Sequence, residues 1–218
     1  MEYIEGHLIQ DSDWTNKLAI QIGSALACLH NNETWAYGDL TKPESLVENP
    51  ELYFKDKFEE ELSECTRHLP LELIEQCKQY YNNHKALLAK VDGPCMIHRD
   101  FRPGNMIIKE GKLEGIIDWA GGRSGFAEQD LCLIEHFKWS IAPEYTKSLL
   151  KGYASLRPIP NYQRIMPLLQ LGRALAVIGY TVASKTWNNS NASLYKVNRE
   201  YLDNFDFSSC NPILTGGK

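Results

Sequence analysis

The sequence has no Cys-x-x-Cys pair, no excess of basic residues and no Gly-x-Gly-x-x-Gly loop. Its six cysteines, Cys28, Cys65, Cys77, Cys95, Cys132 and Cys210, are scattered without a disulfide or metal-finger spacing, so reduced thiols in a cytoplasmic protein are expected. The net charge is −5, opposite in sign to most nucleic-acid-binding surfaces, and no nucleic-acid partner is expected. An acidic balance suits a cationic small substrate, and equally an ordinary globular surface. The first residues carry no basic segment followed by an apolar run, and no stretch approaches membrane-spanning length, so no membrane partner is expected. The most apolar stretch, Pro167 to Val182, is interrupted by Gln170 and Arg173 and reads as a core helix.

What is present supports a packed core. The chain has 218 residues, 43% of them hydrophobic and 23% charged, which fits one ordinary domain or one large lobe of a two-lobed protein. Its informative centre is Ile97 to Trp119. Met106 to Ile108 and Leu113 to Ile117 are short apolar runs around Lys109-Glu110-Gly111-Lys112, the pattern of a β-hairpin. With Glu110-Gly111 as the loop, Lys109 faces Lys112 and Asn105 falls beside Ile116. Asn105 and Asp118 then share the open end of the hairpin, and Asp100 lies on the loop feeding it. Two carboxylates and an amide oxygen form an all-oxygen site suited to Mg²⁺. Each residue also has a plainer reading: Asp100 and Asn105 as turn caps, and His98 as a satisfied core histidine. Asp118 closes an apolar strand, where an unpaired carboxylate is costly to bury.

Around this centre the apolar periodicity is helical. Asp11 to His30 reads as a helix of about five turns capped by Asp13 or Thr15, with the helix dipole accounting for His30 near its end. Asn31 to Pro50 is a polar loop whose Asp39 and Glu44 could face a cation. Phe54, Phe58 and Leu62 mark a second helix, and Leu73 to Leu88 a third. Further helices are expected near Phe126 to Leu131 and over Pro143 to Tyr153, Tyr162 to Lys185 and Ser193 to Phe205. Glu128 and Glu135 read as exposed helix carboxylates.

His98-Arg99-Asp100, followed by Asn105 and Ile116-Ile117-Asp118, resembles the catalytic loop and metal-binding aspartate of the protein-kinase-like fold. Pro103-Gly104-Asn105 and Asp118-Trp119 make the chain more similar to the aminoglycoside phosphotransferase family and its choline-kinase-like relatives. The resemblance implies an α+β, mainly α-helical C-lobe whose small β-hairpin carries the catalytic and metal residues. It implies transfer of a γ-phosphoryl group from ATP or GTP to a small-molecule hydroxyl. Asp100 would act as the base and Asn105 and Asp118 as Mg²⁺ ligands. His98 and Asp130 would give structural support, Asp130 by accepting backbone hydrogen bonds from the catalytic loop. Glu2, Tyr3 and Ile4 would line the base pocket at a hinge-like strand, residues 1–9, ahead of a helical lobe over 10–207 and a tail over 208–218. Arg99 stands where the family commonly has Gly, and Arg102 where it commonly has His.

The missing Gly-rich loop, and the strand lysine that accompanies it in this fold, set the expectation of a C-lobe without its N-lobe, weak or inactive alone. Two alternatives stand beside that expectation. One is a non-catalytic kinase-like remnant that acts as a binding module, with self-association through the exposed hinge side. The other is a metal-dependent hydrolase using His98, Asp100 and Asp118, disfavoured because so few histidines lie near the cluster.

Overall fold

A computed structural model describes residues 3–134 and 143–208. The fold is mixed α+β and mainly helical, and the chain divides into two compact units, Met1–Asn49 with Val91–Tyr162 and Pro50–Lys90 with Gln163–Lys218. The Ile97 to Trp119 stretch lies wholly in the first.

In the first unit the chain begins with β1 (His7–Leu8) and enters α1 (Asn16–His30). Thr15 is the cap, its hydroxyl accepting the Leu18 amide at 3.1 Å. Asp13 instead accepts the Gln10 amide at 2.7 Å in a short 3₁₀ turn, so α1 has 15 residues and is shorter than the periodicity suggested. Its buried face, Leu18, Ile22, Leu26 and Ala27, packs on α5 (Pro143–Ala154). Gly23 and Gly152 permit this: a Cβ on Gly23 would collide with the Leu149 carbonyl, and one on Gly152 with that of Ile20. Beyond α5, the Arg157 guanidinium donates to the His30 carbonyl at 2.8 Å, satisfying the end of α1, and forks onto both Asp92 oxygens at 3.3 and 3.0 Å.

Two small sheets follow. Strands β3 (Met106–Lys109) and β4 (Lys112–Ile116) form the expected hairpin. Glu110 and Gly111 at its tip both have positive φ, 52° and 71°, as a two-residue turn matched to strand twist requires. The register differs from the sequence expectation below Leu113. Ile108 pairs with Leu113 but Ile107 pairs with Gly115, leaving Glu114 as an extra, bulged residue. Met106 therefore meets Ile116, and Asn105 meets Ile117, whose amide it accepts at 2.9 Å. Strand β1 adds to the other side of β3, giving the order β1-β3-β4.

The second sheet, β2 (Cys95–Ile97) with β5 (Arg123–Gly125), was not foreseen. Its strands are three residues each and far apart in sequence, and β5 is Arg-Ser-Gly, without an apolar alternation. The polar segment 31–49 also pairs locally, through bridges Glu33 to Cys95, Gly38 to Ser124 and Tyr37 to Val47. Helix α4 (Glu128–Ile134) closes the described part of this region.

The second unit contains α2 (Pro50–Cys65), α3 (Leu71–His84), α6 (Tyr162–Ala183) from Gln163 onward, and α7 (Ala192–Asp203). The third helix expected from sequence stops at His84 and continues as a 3₁₀ segment, Lys85–Lys90. Phe54, Phe58 and Tyr81 stack in its core, with ring centroids 4.9 Å apart for Phe58 and Tyr81. Helix α6 corrects one expectation: at 22 residues and mean hydropathy 1.4 it is long and apolar enough to cross a membrane, although 61% of that window is buried within the protein. Leu168, Leu171, Leu175 and Ile178 are among its buried residues, which fits a core helix. Burial also pushes the thiols of Cys65, Cys77 and, in the first unit, Cys95 up to about 12. These three and Cys28 and Cys132 are free thiols, while Cys210, Glu2, Glu135 and the tail beyond Ser208 lie outside the described residues.

Candidate functional site

Two loops meet in the first unit. One, His98 to Asn105, runs from β2 to β3, and the other, Ile117 to Gly122, runs from β4 to β5. The His98 ring joins them. It is fully buried, and its Nε2 donates to the Ile117 carbonyl at 2.9 Å, which requires the hydrogen on Nε2. Its Nδ1 then accepts the Asp100 amide at 3.3 Å. Trp119 covers the ring at 4.5 Å between centroids and donates its indole N–H to the Ile116 carbonyl at 2.7 Å.

Beneath the first loop lies Asp130, fully buried on α4. One carboxylate oxygen accepts the His98 amide and the other the Arg99 amide, each at 2.7 Å. The first oxygen also faces His30 Nε2 at 3.2 Å, and His30 Nδ1 lies 2.9 Å from the Tyr153 hydroxyl. A buried carboxylate is tolerable here because three N–H groups converge on it. The helix-dipole account of His30 is therefore incomplete: the ring is fully buried and belongs to this network. No local signal could have revealed it, since Asp130 is 100 residues away. The bonds at Arg99 hold its backbone at φ 66°, the left-handed region that disfavours a Cβ.

Asp100 sits at the open end, its side chain 26% exposed. Asn105, only 3% exposed, uses its amide nitrogen twice, donating to the Asp100 carbonyl at 2.9 Å and to its Oδ2 at 2.7 Å. That fixes the amide with its carbonyl oxygen Oδ1 turned from Asp100. Arg102 Nε donates to the same Asp100 oxygen at 2.9 Å. Phe101, buried between these residues, anchors the loop in the core.

Asp118 lies on the second loop. It is exposed, in the left-handed conformation at φ 64° and ψ 61°, and among the described residues its carboxylate accepts no hydrogen bond. The strand ends at Ile116, two residues earlier, so the carboxylate lies beyond the sheet. The set offered to a ligand is thus an exposed carboxylate, a half-buried carboxylate and an oriented amide oxygen. Such hard oxygen donors fit Mg²⁺. No three His, Cys, Asp or Glu side chains gather as a metal cluster among the described residues.

Other expected site residues are more dispersed. Tyr3 is 84% exposed, while Ile4 leans over Gly115 in the bulged strand. Glu128 is buried, not exposed: its carboxylate accepts the Asp92 amide at 2.9 and 3.1 Å, and burial raises it to about 7. A cavity of about 380 Å³, lined by Phe58, Leu62, Ile74 and Tyr81 among others, belongs to the second unit and includes none of these residues.

Residues 1–168 match the model of a family described as the phosphotransferase enzyme family, APH. The chain belongs to this family. The match is to these phosphotransferases broadly and not to one lobe of them. The solved gentamicin complex of APH(2")-IIa is similar to this phosphotransferase with a TM-score of 0.69 and 22% identity, over 94% of this chain and 70% of that one. Macrolide 2'-phosphotransferase MphH from Brachybacterium faecium gives 0.57 and 15%, over 94% and 69%. Spectinomycin phosphotransferase APH(9)-Ia, solved with ADP and spectinomycin, gives 0.55 and 17%, over 95% and 67%. At these identities the likeness is one of fold. No curated protein matches the sequence.

Proposed function

We propose that this phosphotransferase moves the γ-phosphoryl group of ATP or GTP to the hydroxyl of a small molecule, at the meeting of the two loops. The observation that carries the reading is the Asn105 amide, which grips Asp100 with its nitrogen and leaves its oxygen for a cation. Asn105 Oδ1 and Asp118 would hold Mg²⁺, which when bound neutralises phosphate charge. Asp100 orients the acceptor hydroxyl and takes its proton as the new P–O bond forms and the bond to the departing nucleoside diphosphate breaks. His98 and Asp130 keep the loop in register. Ile4 and Tyr3, with Glu2, are assigned to the base side.

The phosphate-clamping loop and lysine expected of the fold are not recognisable in this sequence, so the reading puts weak activity on the 218-residue chain by itself. A second reading, a non-catalytic binding module that associates through its hinge side, draws support from the exposed Tyr3 and Leu8, at 84% and 42%.

Calorimetry of Mg·ATP and Mg·GTP binding separates the two. Metal-dependent binding is expected, lost in Asp118→Ala and retained in Asp100→Asn, with Asp100→Asn lowering transfer by about 10²–10⁴-fold. No binding at millimolar nucleotide sinks the catalytic reading and favours the module.

A further inference from the structure

The buried pair His30 and Tyr153 has no part in the function proposed above, yet it ends on the carboxylate that holds the loop carrying Asp100. Both residues are fully buried, and both belong to the first unit. Their meeting follows from the close packing of α1 on α5. A Cβ on Gly23 would lie 2.9 Å from the Tyr153 amide nitrogen, so the backbone at Tyr153 touches α1. His30 lies about two turns further along α1 and shares that face. Ser24 donates to the Gly152 carbonyl at 3.2 Å, and Arg157 donates to the His30 carbonyl at 2.8 Å. Tyr153 is thus fastened to α1 on both sides.

The hydrogens of this relay can be assigned. Asp130 Oδ2, the acceptor of the His98 amide, faces His30 Nε2 at 3.2 Å. A lone pair on Nε2 would oppose those of the oxygen, so the ring hydrogen belongs on Nε2. In the neutral ring Nδ1 is then an acceptor, and the Tyr153 hydroxyl 2.9 Å away is its donor. Arg157, Asp92, Cys95 and Glu128 surround the phenol, but burial outweighs them and holds it above its ordinary range, so it keeps its proton. Without the hydroxyl, Nδ1 would be a buried acceptor with no donor, and the ring would lose one of its two fixings.

We propose that Tyr153 is a positioning residue for Asp100: its hydroxyl holds His30 in the tautomer that donates to Asp130, and Asp130 holds the two amides that precede Asp100. The role of Asp100 as base rests on the function proposed above. Its placement is a matter of backbone. Asp130 accepts the successive His98 and Arg99 amides and so selects the left-handed turn at Arg99, φ 66°, from which the chain enters Asp100. Removing one of three donors from the carboxylate loosens its hold on that turn.

The test is nitrogen NMR of the isotope-labelled histidines with amide hydrogen exchange, on the parent chain, Tyr153→Phe, His30→Leu and the double variant. Calorimetry of Mg·ATP binding and basal ADP release from Mg·ATP, with water as acceptor, accompany it. In the parent, His30 is expected as a neutral ring with its hydrogen on Nε2; an imidazolium, or a hydrogen on Nδ1, overturns the proposal. Tyr153→Phe removes a single oxygen. It is expected to speed exchange of the His98 and Arg99 amides about ten-fold and to slow ADP release about ten-fold, with Mg·ATP affinity within about two-fold. In the His30→Leu background the same change should alter either rate by no more than about two-fold, because the hydroxyl acts through the ring. An equal effect in both backgrounds overturns the proposal. So does faster exchange spread over all helices without an excess at His98 and Arg99, which would make Tyr153 a stability residue only. Should His30→Leu fail to fold, the exchange pattern of Tyr153→Phe and the histidine spectrum of the parent decide. A parent that neither binds Mg·ATP nor releases ADP removes the phosphotransferase function, while the exchange pattern still decides whether Tyr153 positions the loop. Faster local exchange with ADP release unchanged does the reverse: the function stands and the positioning role falls.

Discussion

Asp130 shows how one side chain sets the geometry of several others. Its two oxygens take the amides of His98 and Arg99 and face the His30 ring, so they fix where Asp100 begins. In Asp130→Asn, one oxygen becomes an NH₂ group that must face a backbone N–H or the His30 N–H. The expected cost is about 1–3 kcal/mol of stability, measurable by urea denaturation, because a buried donor is left without an acceptor. The sequence made Asp130 legible through the family resemblance, and the same resemblance marked Asp100, Asn105 and Asp118. It could not supply His30 or the burial of Glu128, because both depend on which distant residues fold against them. The end of the second strand was misplaced for a different reason: the apolar run was read as strand to Ile117, whereas pairing stops at Ile116.

Among elements, the helices were the most legible, since each buried face leaves a repeat of three and four in the sequence. Helix α5 begins at Pro143 as expected, and α6 and α7 fall within two residues of their expected bounds. The β2–β5 pair left no such trace, being short and held by the chain around it. The α1–α5 contact depends on two glycines that looked unremarkable in sequence. Gly152→Ala places a methyl group against the Ile20 backbone, which cannot move as a flexible side chain could. A loss of about 1–3 kcal/mol is expected, seen as a lower urea midpoint, with Gly23→Ala similar and the two less than additive because they share one interface.

For the whole molecule, length suggested one domain or lobe, whereas two compact units are built from alternating segments, each leaving and re-entering the other's sequence. A reading along the chain does not show that interleaving. Global stability also carries a pH signature. Glu128 is raised from 4.5 to about 7, chiefly by burial, so between those values the folded chain holds a proton that the unfolded chain has lost. Its contribution favours folding most below pH 4.5 and is lost as pH rises through 7. At roughly 1.4 kcal/mol per unit, the change is about 3 kcal/mol. Glu128→Gln keeps an acceptor for the Asp92 amide and removes the titration. Chemical denaturation at pH 5 and pH 8 should therefore show a smaller difference in the variant than in the parent; an unchanged difference would assign the effect elsewhere.

The bulge at Glu114 divides the hairpin into two regimes of tolerance. Toward the tip, pairing can be lengthened or the Glu110-Gly111 turn replaced by a longer loop, because nothing at the mouth reads that distance. Toward the mouth, the extra residue has already set which carbonyl His98 meets and which residue lies beside Asn105. One residue added or removed between Gly115 and Asp118 would put a different carbonyl under the histidine and carry Asp118 away from its partner loop. Length is therefore free to drift on one side of Glu114 and fixed on the other, and related sequences should differ by insertions at the turn while holding the spacing from the bulge to the aspartate.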